Sequence, residues 1–272
     1  MHKLIAAPIL LISLACCTNA SAENSKPLVD GMNQFAFATH QKLYQPNQNA
    51  VYSPYSLSFL LELLVKGSAG ETRVQLMQSL HLDEHTNLTA LNTDLDQMNN
   101  ALTLSPECAD KPNCKIRNED FIISNALWAD EGFSYNQSYL DNMKRMQSVN
   151  FYRVNFQKSS DKAKDQINAW VDKSTQGYIQ NLLTDPLSPN TKLILTNAIY
   201  FKGLWALPFD IKQTNKQSFT SDTGTQSITE MMHQTSHFNY AETDNLQMLL
   251  LNYNKSNLAM AIILPKSKHS LN

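Results

Sequence analysis

The β-type run Leu193–Phe201 is apolar with only Thr196 and Asn197 as polar interruptions. That pattern predicts a strand covered on both faces, and hence a central one. An Asn in such a strand must find partners for its amide, because leaving those groups unpaired costs about 1–3 kcal/mol. A second polar element packed on Asn197 is therefore expected. Lys202-Gly203 breaks the run, and Trp205 follows as a large amphipathic anchor where the strand leaves the core.

Upstream, apolar residues mostly keep helical spacing. A helix is expected around residues 29–39, with Met32, Phe35, Ala36 and Ala38 on one partial face. Residues 53–67 carry stronger signals: Ser53 is placed as an N-cap, Pro54 as a first-turn residue and Gly67 as a stop. Leu57, Phe59, Leu60, Leu61, Leu63, Leu64 and Val65 leave this helix almost no polar face, so it is expected to be largely buried. A shorter amphipathic helix should run from Gly70 to about His81, and Leu91, Leu95, Met98 and Leu102 again recur at helical spacing. Residues 121–129 predict a second long strand, ended by Asp130-Glu131-Gly132. Residues 135–147 suggest a helix, 151–156 a short strand and 163–183 a long helix whose main apolar residues are Ile167, Trp170, Val171 and Ile179. After Trp205 the pattern turns to β, with five short strands at 216–220, 226–232, 237–240, 247–253 and 258–264.

The first residues have a different character. His2 and Lys3 precede an apolar stretch from Leu4 to Leu14, and Ala20-Ser21-Ala22 precedes Glu23. This predicts an export signal over residues 1–22 that is removed, leaving a partial domain over 23–272 in an extracellular or periplasmic compartment. The apolar core is too short to span a bilayer. A rival reading is lipid anchoring at Cys16 or Cys17, whose preceding residues meet the small-residue pattern loosely. Both readings take the chain out of the cytoplasm. In an oxidising compartment Cys108 and Cys114, in Cys-Ala-Asp-Lys-Pro-Asn-Cys, predict a local disulfide worth about 2 kcal/mol. Two unpaired thiols are the alternative, and a metal site there has no nearby His to complete it.

Composition narrows the function classes. At 272 residues and 42% hydrophobic content the chain can bury a substantial core. Its net charge of −2 is spread without long runs, so no electrostatic footprint for nucleic acid or an acidic membrane exists. His81 and His85, and His233 and His237, are each four residues apart. The second pair lies on strand-like sequence, where that spacing is roughly 13 Å and too long to share an ion. The first lies beyond a helix end, so no metal site is expected. No nucleophile elbow, zinc-protease helix or Gly-rich phosphate loop is present, so neither catalysis nor a small-molecule cofactor is expected.

Several blocks together carry a resemblance. They are Asn49 and Ser53-Pro54-x-Ser56 opening the buried helix, Gly67 with Gly70-Glu71-Thr72, and Asn125-Ala-Leu-Trp128 before Gly132-Phe133. Ile167-Asn-x-Trp170-Val171 leads to Thr175-x-Gly177-x-Ile179, and Thr196-Asn-Ala-Ile-Tyr-Phe-Lys-Gly-Leu-Trp205 is followed by Pro208-Phe209. Met232-x-Gln234, Phe238-x-Tyr240 and Ile263-Leu264-Pro265 complete the series. In this order they resemble the serpin family of protease inhibitors. The resemblance implies an α+β (mixed) fold with three β-sheets and surrounding helices, and a target serine or cysteine protease as partner. In such a mechanism the protease cuts an exposed loop, which then inserts as a strand into the largest sheet. By position, Ser53, Ser56 and Asn197 resemble the polar cluster beneath the point where that sheet opens. Trp205, Thr214 and Lys202 resemble the region where insertion begins.

What the family places after the Leu-Pro strand end, the reactive loop and the closing strands included, is absent from this sequence. The expectation for the 272-residue chain alone is thus no inhibition, with self-association through exposed sheet edges. The alternative is a non-inhibitory remnant or protein-binding module.

Overall fold

The computed structural model describes residues 21–45, 48–83, 86–103, 121–221, 224–254, 256 and 258–266. Residues 1–20 of the expected export signal, with Cys16 and Cys17, the expected Cys108–Cys114 pairing and His85 lie outside them. The described chain divides into two compact units, one built mainly of Pro54–Lys202 with the segment ending at Ala36, the other of Phe37–Ser53 and the chain from Gly203 onward.

In the first unit, helix α1 (Ser21–Leu43) contributes its portion up to Ala36, followed by α2 (Pro54–Gly67), α3 (Gly70–Ser79) and α4 (Leu88–Thr103). Strand β1 (Phe121–Asp130), helix α5 (Gln137–Arg145), strand β2 (Asn150–Val154), helix α6 (Ser160–Ser174) and strand β3 (Leu193–Phe201) complete it. The strands form one sheet in the order β2-β1-β3, β1 running parallel to β2 and antiparallel to β3. Among the described residues β1, not β3, is therefore the central strand. The expectation for β3 fails because an apolar run reports cover on the two faces of a strand and is silent about its edges. β1 is the better-buried strand, continuously so from Asn125 to Asp130.

Packing follows the period of each element. Ala126 and Trp128 of β1 and Ile194 of β3 meet Ala163, Ile167 and Val171 of α6, with Val154 and Phe156 closing the cluster. Trp128 also stacks on Tyr152 at 4.3 Å between ring centres and meets Trp170 edge-on. Its indole Nε1 donates to Thr196 Oγ1 at 3.0 Å, so the aromatic body is buried while its polar atom is satisfied. α2 packs against β3 and α4 against β1. All four apolar residues singled out in α4, Leu91, Leu95, Met98 and Leu102, are buried.

Two helices depart from expectation. α2 has the expected bounds, but its buried face includes Ser58 and Glu62 whereas Leu57 is 43% exposed. α6 stops at Ser174 instead of running to 183, because Gln176 and Gly177 take left-handed backbone angles. The Gly177 amide donates back to the Asp172 carbonyl at 2.8 Å, and Thr175 Oγ1 donates to the Val171 carbonyl while accepting the Ile179 amide. Asn168 then holds the departing chain, exchanging two hydrogen bonds with the backbone of Leu183. Ile179 is consequently off the helix and 43% exposed.

The second unit is mostly β. β4 (Asn215–Thr220) and β5 (Gln226–Met231) form a hairpin, and β6 (Asn239–Glu242), β7 (Leu246–Asn252) and β8 (Ala259–Pro265) an antiparallel sheet in that order. All five expected strands are present, shifted by one or two residues. With the first sheet they make three.

Gly177→Ala should cost about 1–2 kcal/mol from its left-handed backbone alone, since a Cβ there would meet only Asp172 Oδ1, at 3.9 Å. Urea denaturation against the parent measures this; an unchanged midpoint would mean the helix end relaxes freely.

Candidate functional site

Antiparallel register sets Asn125 of β1 directly opposite Asn197 of β3. Asn197 Nδ2 donates to Asn125 Oδ1 at 2.7 Å. Asn125 is fully buried, and its own Nδ2 donates to the Ser148 carbonyl at 3.1 Å, just ahead of β2. The carboxylate of Asp96 on α4 accepts the backbone amides of Gln147 and Ser148 at 3.1 and 2.9 Å, and the Ser148 hydroxyl as well. A continuous polar path therefore runs from β3 through β1 and the turn before β2 to α4. It reads as a fastening: each buried amide group is matched by a neighbour on another element, so separating the strands would strand polar atoms away from water.

The Asn197 amide is thus met by Asn125 from the adjacent strand, a partner additional to the expected serines of α2. Ser56 lies half-buried in the first turn of α2, the helix that packs on β3, and Ser53 lies half-buried just before it. The serine that α2 buries completely is Ser58, whose Oγ donates to the Tyr55 carbonyl at 3.2 Å. A signal for Asn125 was present: Asn-Ala occurs in the middle of both long β-type runs, and two strands paired antiparallel about those dipeptides place the amides face to face.

The expected sheet-opening residues are distributed between the two units. Lys202 is exposed at the end of the first, while Trp205 and Thr214 belong to the second. Trp205 stacks on Tyr253 at 4.8 Å with ring planes 11° apart, and meets Phe209 edge-on at 6.1 Å. Flanking backbone bonds, Ala206 amide to Asn252 carbonyl and Asn254 amide to Leu204 carbonyl, tie the segment to β7. Beside the stack is a cavity of about 160 Å³ lined by Trp205, Phe209, His237, Phe238 and Leu250 among others. Gln234 Nε2 donates to the carbonyls of Leu207 and Pro208, both at 3.1 Å, which joins two segments of the motif series. Thr214 is half-buried where a single 3-10 turn (Ile211–Gln213) passes into β4.

Neither His233 nor His237 shares a metal-type cluster: among the described residues no three His, Cys, Asp or Glu side chains are placed to hold an ion. His233 instead meets Gln217 across the β4–β5 hairpin at 3.1 Å.

Residues 30–272 match the family described as Serpin (serine protease inhibitor). An uncharacterised serpin-like protein of Thermococcus kodakarensis is 36% identical over 245 residues, which are 89% of this chain and 54% of that protein. A leukocyte elastase inhibitor of Xenopus laevis is 30% identical over 88% of this chain and 61% of its own length. Of solved structures, a cleaved serpin of 42 Da designation superposes with a TM-score of 0.78 at 26% identity, covering 92% of this chain and 65% of that one. The chain thus spans somewhat more than half the length of these curated relatives.

Asn125→Ala removes the acceptor for Asn197 and the donor to the Ser148 carbonyl, and should cost about 1–3 kcal/mol. Chemical denaturation with the exposed Asn190→Ala as control reads this, and equal midpoints would show that the amide pair adds no net stability.

Proposed function

We propose that this chain, which belongs to the serpin family, is part of an exported inhibitor of serine or cysteine endopeptidases that works by inserting a cleaved loop into its main sheet. The observation that carries the reading is the family match across residues 30–272, supported by the relative named for elastase inhibition. In this reading the protease cuts an exposed loop, the loop adds as a strand beside β3, and main-chain hydrogen bonds in the enlarged sheet drive the change. The stored strain of the starting state is released, and the bound protease is distorted. In this reading the work is conformational.

In the proposed mechanism Asn197 acts with Asn125, and Ser53 and Ser56 belong to the same restraint at the start of α2. The restraint opposes premature separation of strands. Trp205, Thr214 and Lys202 mark the end of the strand where insertion starts. An Asn–Asn pair suits such a role, since it carries no charge and its geometry is restored when the strands close again. Export rests on the pattern of residues 1–22, and local pairing of Cys108 with Cys114 would accompany it.

The full-length protein purified from its natural host, mixed with a panel of serine and cysteine proteases, should give a complex that survives SDS. No such complex with any protease of the panel would overturn the inhibitor reading and leave the fold standing. In the same protein Asn197→Ala should polymerise faster on mild heating. Oligomer formation at the parental rate, followed by native gel, would remove Asn197 from the restraint.

A further inference from the structure

We propose that Glu62 and Lys66, buried one turn apart in α2 beside α4, titrate as an electrostatically coupled pair through which surrounding pH sets how firmly these two helices hold together. The motif series does not use either residue. Glu62 is 1% exposed in the middle of α2, and its Oε2 has no hydrogen-bond partner. Lys66, one turn on, buries an ammonium nitrogen that also lacks one. A carboxyl and an amine placed one turn apart in a helix face the same way, so each is the other's nearest relief from desolvation. Such a pair resists full ionisation and full neutralisation alike.

The surroundings of the pair lie on both helices. From α2, Tyr55 donates its hydroxyl to Asn99 Oδ1 of α4 at 3.4 Å, which fixes the two helices side by side. Asp94 and Asp96 of α4 act electrostatically on Lys66, and Asp96 is also the carboxylate that holds Gln147 and Ser148. From α5, the ring of Tyr139 lies against Gly67, and its hydroxyl is buried without a partner. From α3, Arg73 turns to the Ser68 carbonyl. β3 carries no charged residue, and its one titratable side chain, Tyr200, meets Tyr178. Lys66 thus has three carboxylates within electrostatic reach, whereas the positive charge acting on Glu62 is Lys66 itself.

Burial pushes the Glu62 carboxyl well above its ordinary value of 4.5, with Lys66 opposing the shift. Burial lowers Lys66 from 10.5 to about 8, against the pull of Glu62, Asp96 and Asp94. The two shifts tilt stability in opposite directions. A carboxyl raised in the fold keeps its proton when the opened chain has lost it, so the seam weakens as pH rises above 4.5 until Glu62 ionises in place. An amine lowered in the fold loses its proton before the opened chain does, so the seam strengthens again from about pH 8 towards 10.5. The seam is accordingly firmest in weak acid and loosest in between. If the loop-insertion reading holds, the same seam lies under β1 and β3 and would ease strand separation as pH rises from acid to neutral; the exchange measured below is independent of any protease.

Amide hydrogen exchange of the full chain, corrected for intrinsic rates and followed across α2 and α4 from pH 5 to 9, tests the pair. Protection should fall between pH 5 and 7 with a slope of at most about tenfold per unit, the limit for one proton. Glu62→Gln should flatten that limb, and Lys66→Met should abolish the recovery above pH 8. A flat parental profile, or an equal slope in Glu62→Gln, overturns the proposal. Should Glu62→Gln fail to fold, Lys66→Met decides: loss of the recovery above pH 8 supports the pair, and its persistence overturns it. Because this readout does not involve inhibition, its failure is distinct from the absence of an SDS-stable complex.

Discussion

The first unit depends on one constraint: a polar amide placed in the middle of a buried strand must be matched by another at the same depth. Asn197 and Asn125 meet that requirement by register, 72 residues apart in sequence. Slipping β3 by one residue would point Asn197 to the other face and bury it without a partner, so the pair selects a single alignment of the strands. Thr196 reinforces the choice on the opposite face through the Trp128 indole. Apolar packing by α6 supplies most of the gain from burial, but it would tolerate neighbouring registers more readily than two amides and an indole do.

From that pairing the path to α4 follows. Asn125 has one amide hydrogen-bond acceptor and a donor group to satisfy; β3 uses the acceptor and the Ser148 carbonyl takes the donor. Ser148 is in turn held by Asp96, so α4 is positioned by the strand network as well as by Leu91, Leu95, Met98 and Leu102. α4 then faces α2 through Tyr55 and Asn99, and the ionisable pair of α2 sits in that seam. Sheet register, helix placement and the proposed response to pH are thus consecutive links of one chain of polar contacts.

Much of this was legible in the sequence where a local signal and a periodic one agreed. Ser53-Pro54 and Gly67 bracket α2 to the residue, and the spacing of four apolar residues locates α4. The five late strands were readable from alternation and turn residues. Where only periodicity was available, the reading failed in a physical way. α6 ends nine residues before the last Leu of the apparent pattern because Gly177 and Gln176 adopt left-handed angles, which periodicity does not register. The position of β3 in its sheet was misjudged because burial of faces says nothing of edges. The bond from Asn197 to Asn125 needed the strand register as well, since pairing is a nonlocal fact. Glu62 was passed over because a single charge among seven apolar residues looks like a solvated outlier until the helix is packed.

The 72-residue separation of the two asparagines also has a consequence for synthesis. β1 leaves the ribosome long before β3 exists, and at ordinary elongation rates the interval is roughly 4–14 s. β2 can join β1 in parallel within that time, but the other edge of the best-buried strand in the unit stays open throughout. The nascent chain therefore passes through an interval in which its central strand is a template for any extended segment nearby, and shielding at that stage matters more to its yield than the stability of the finished sheet.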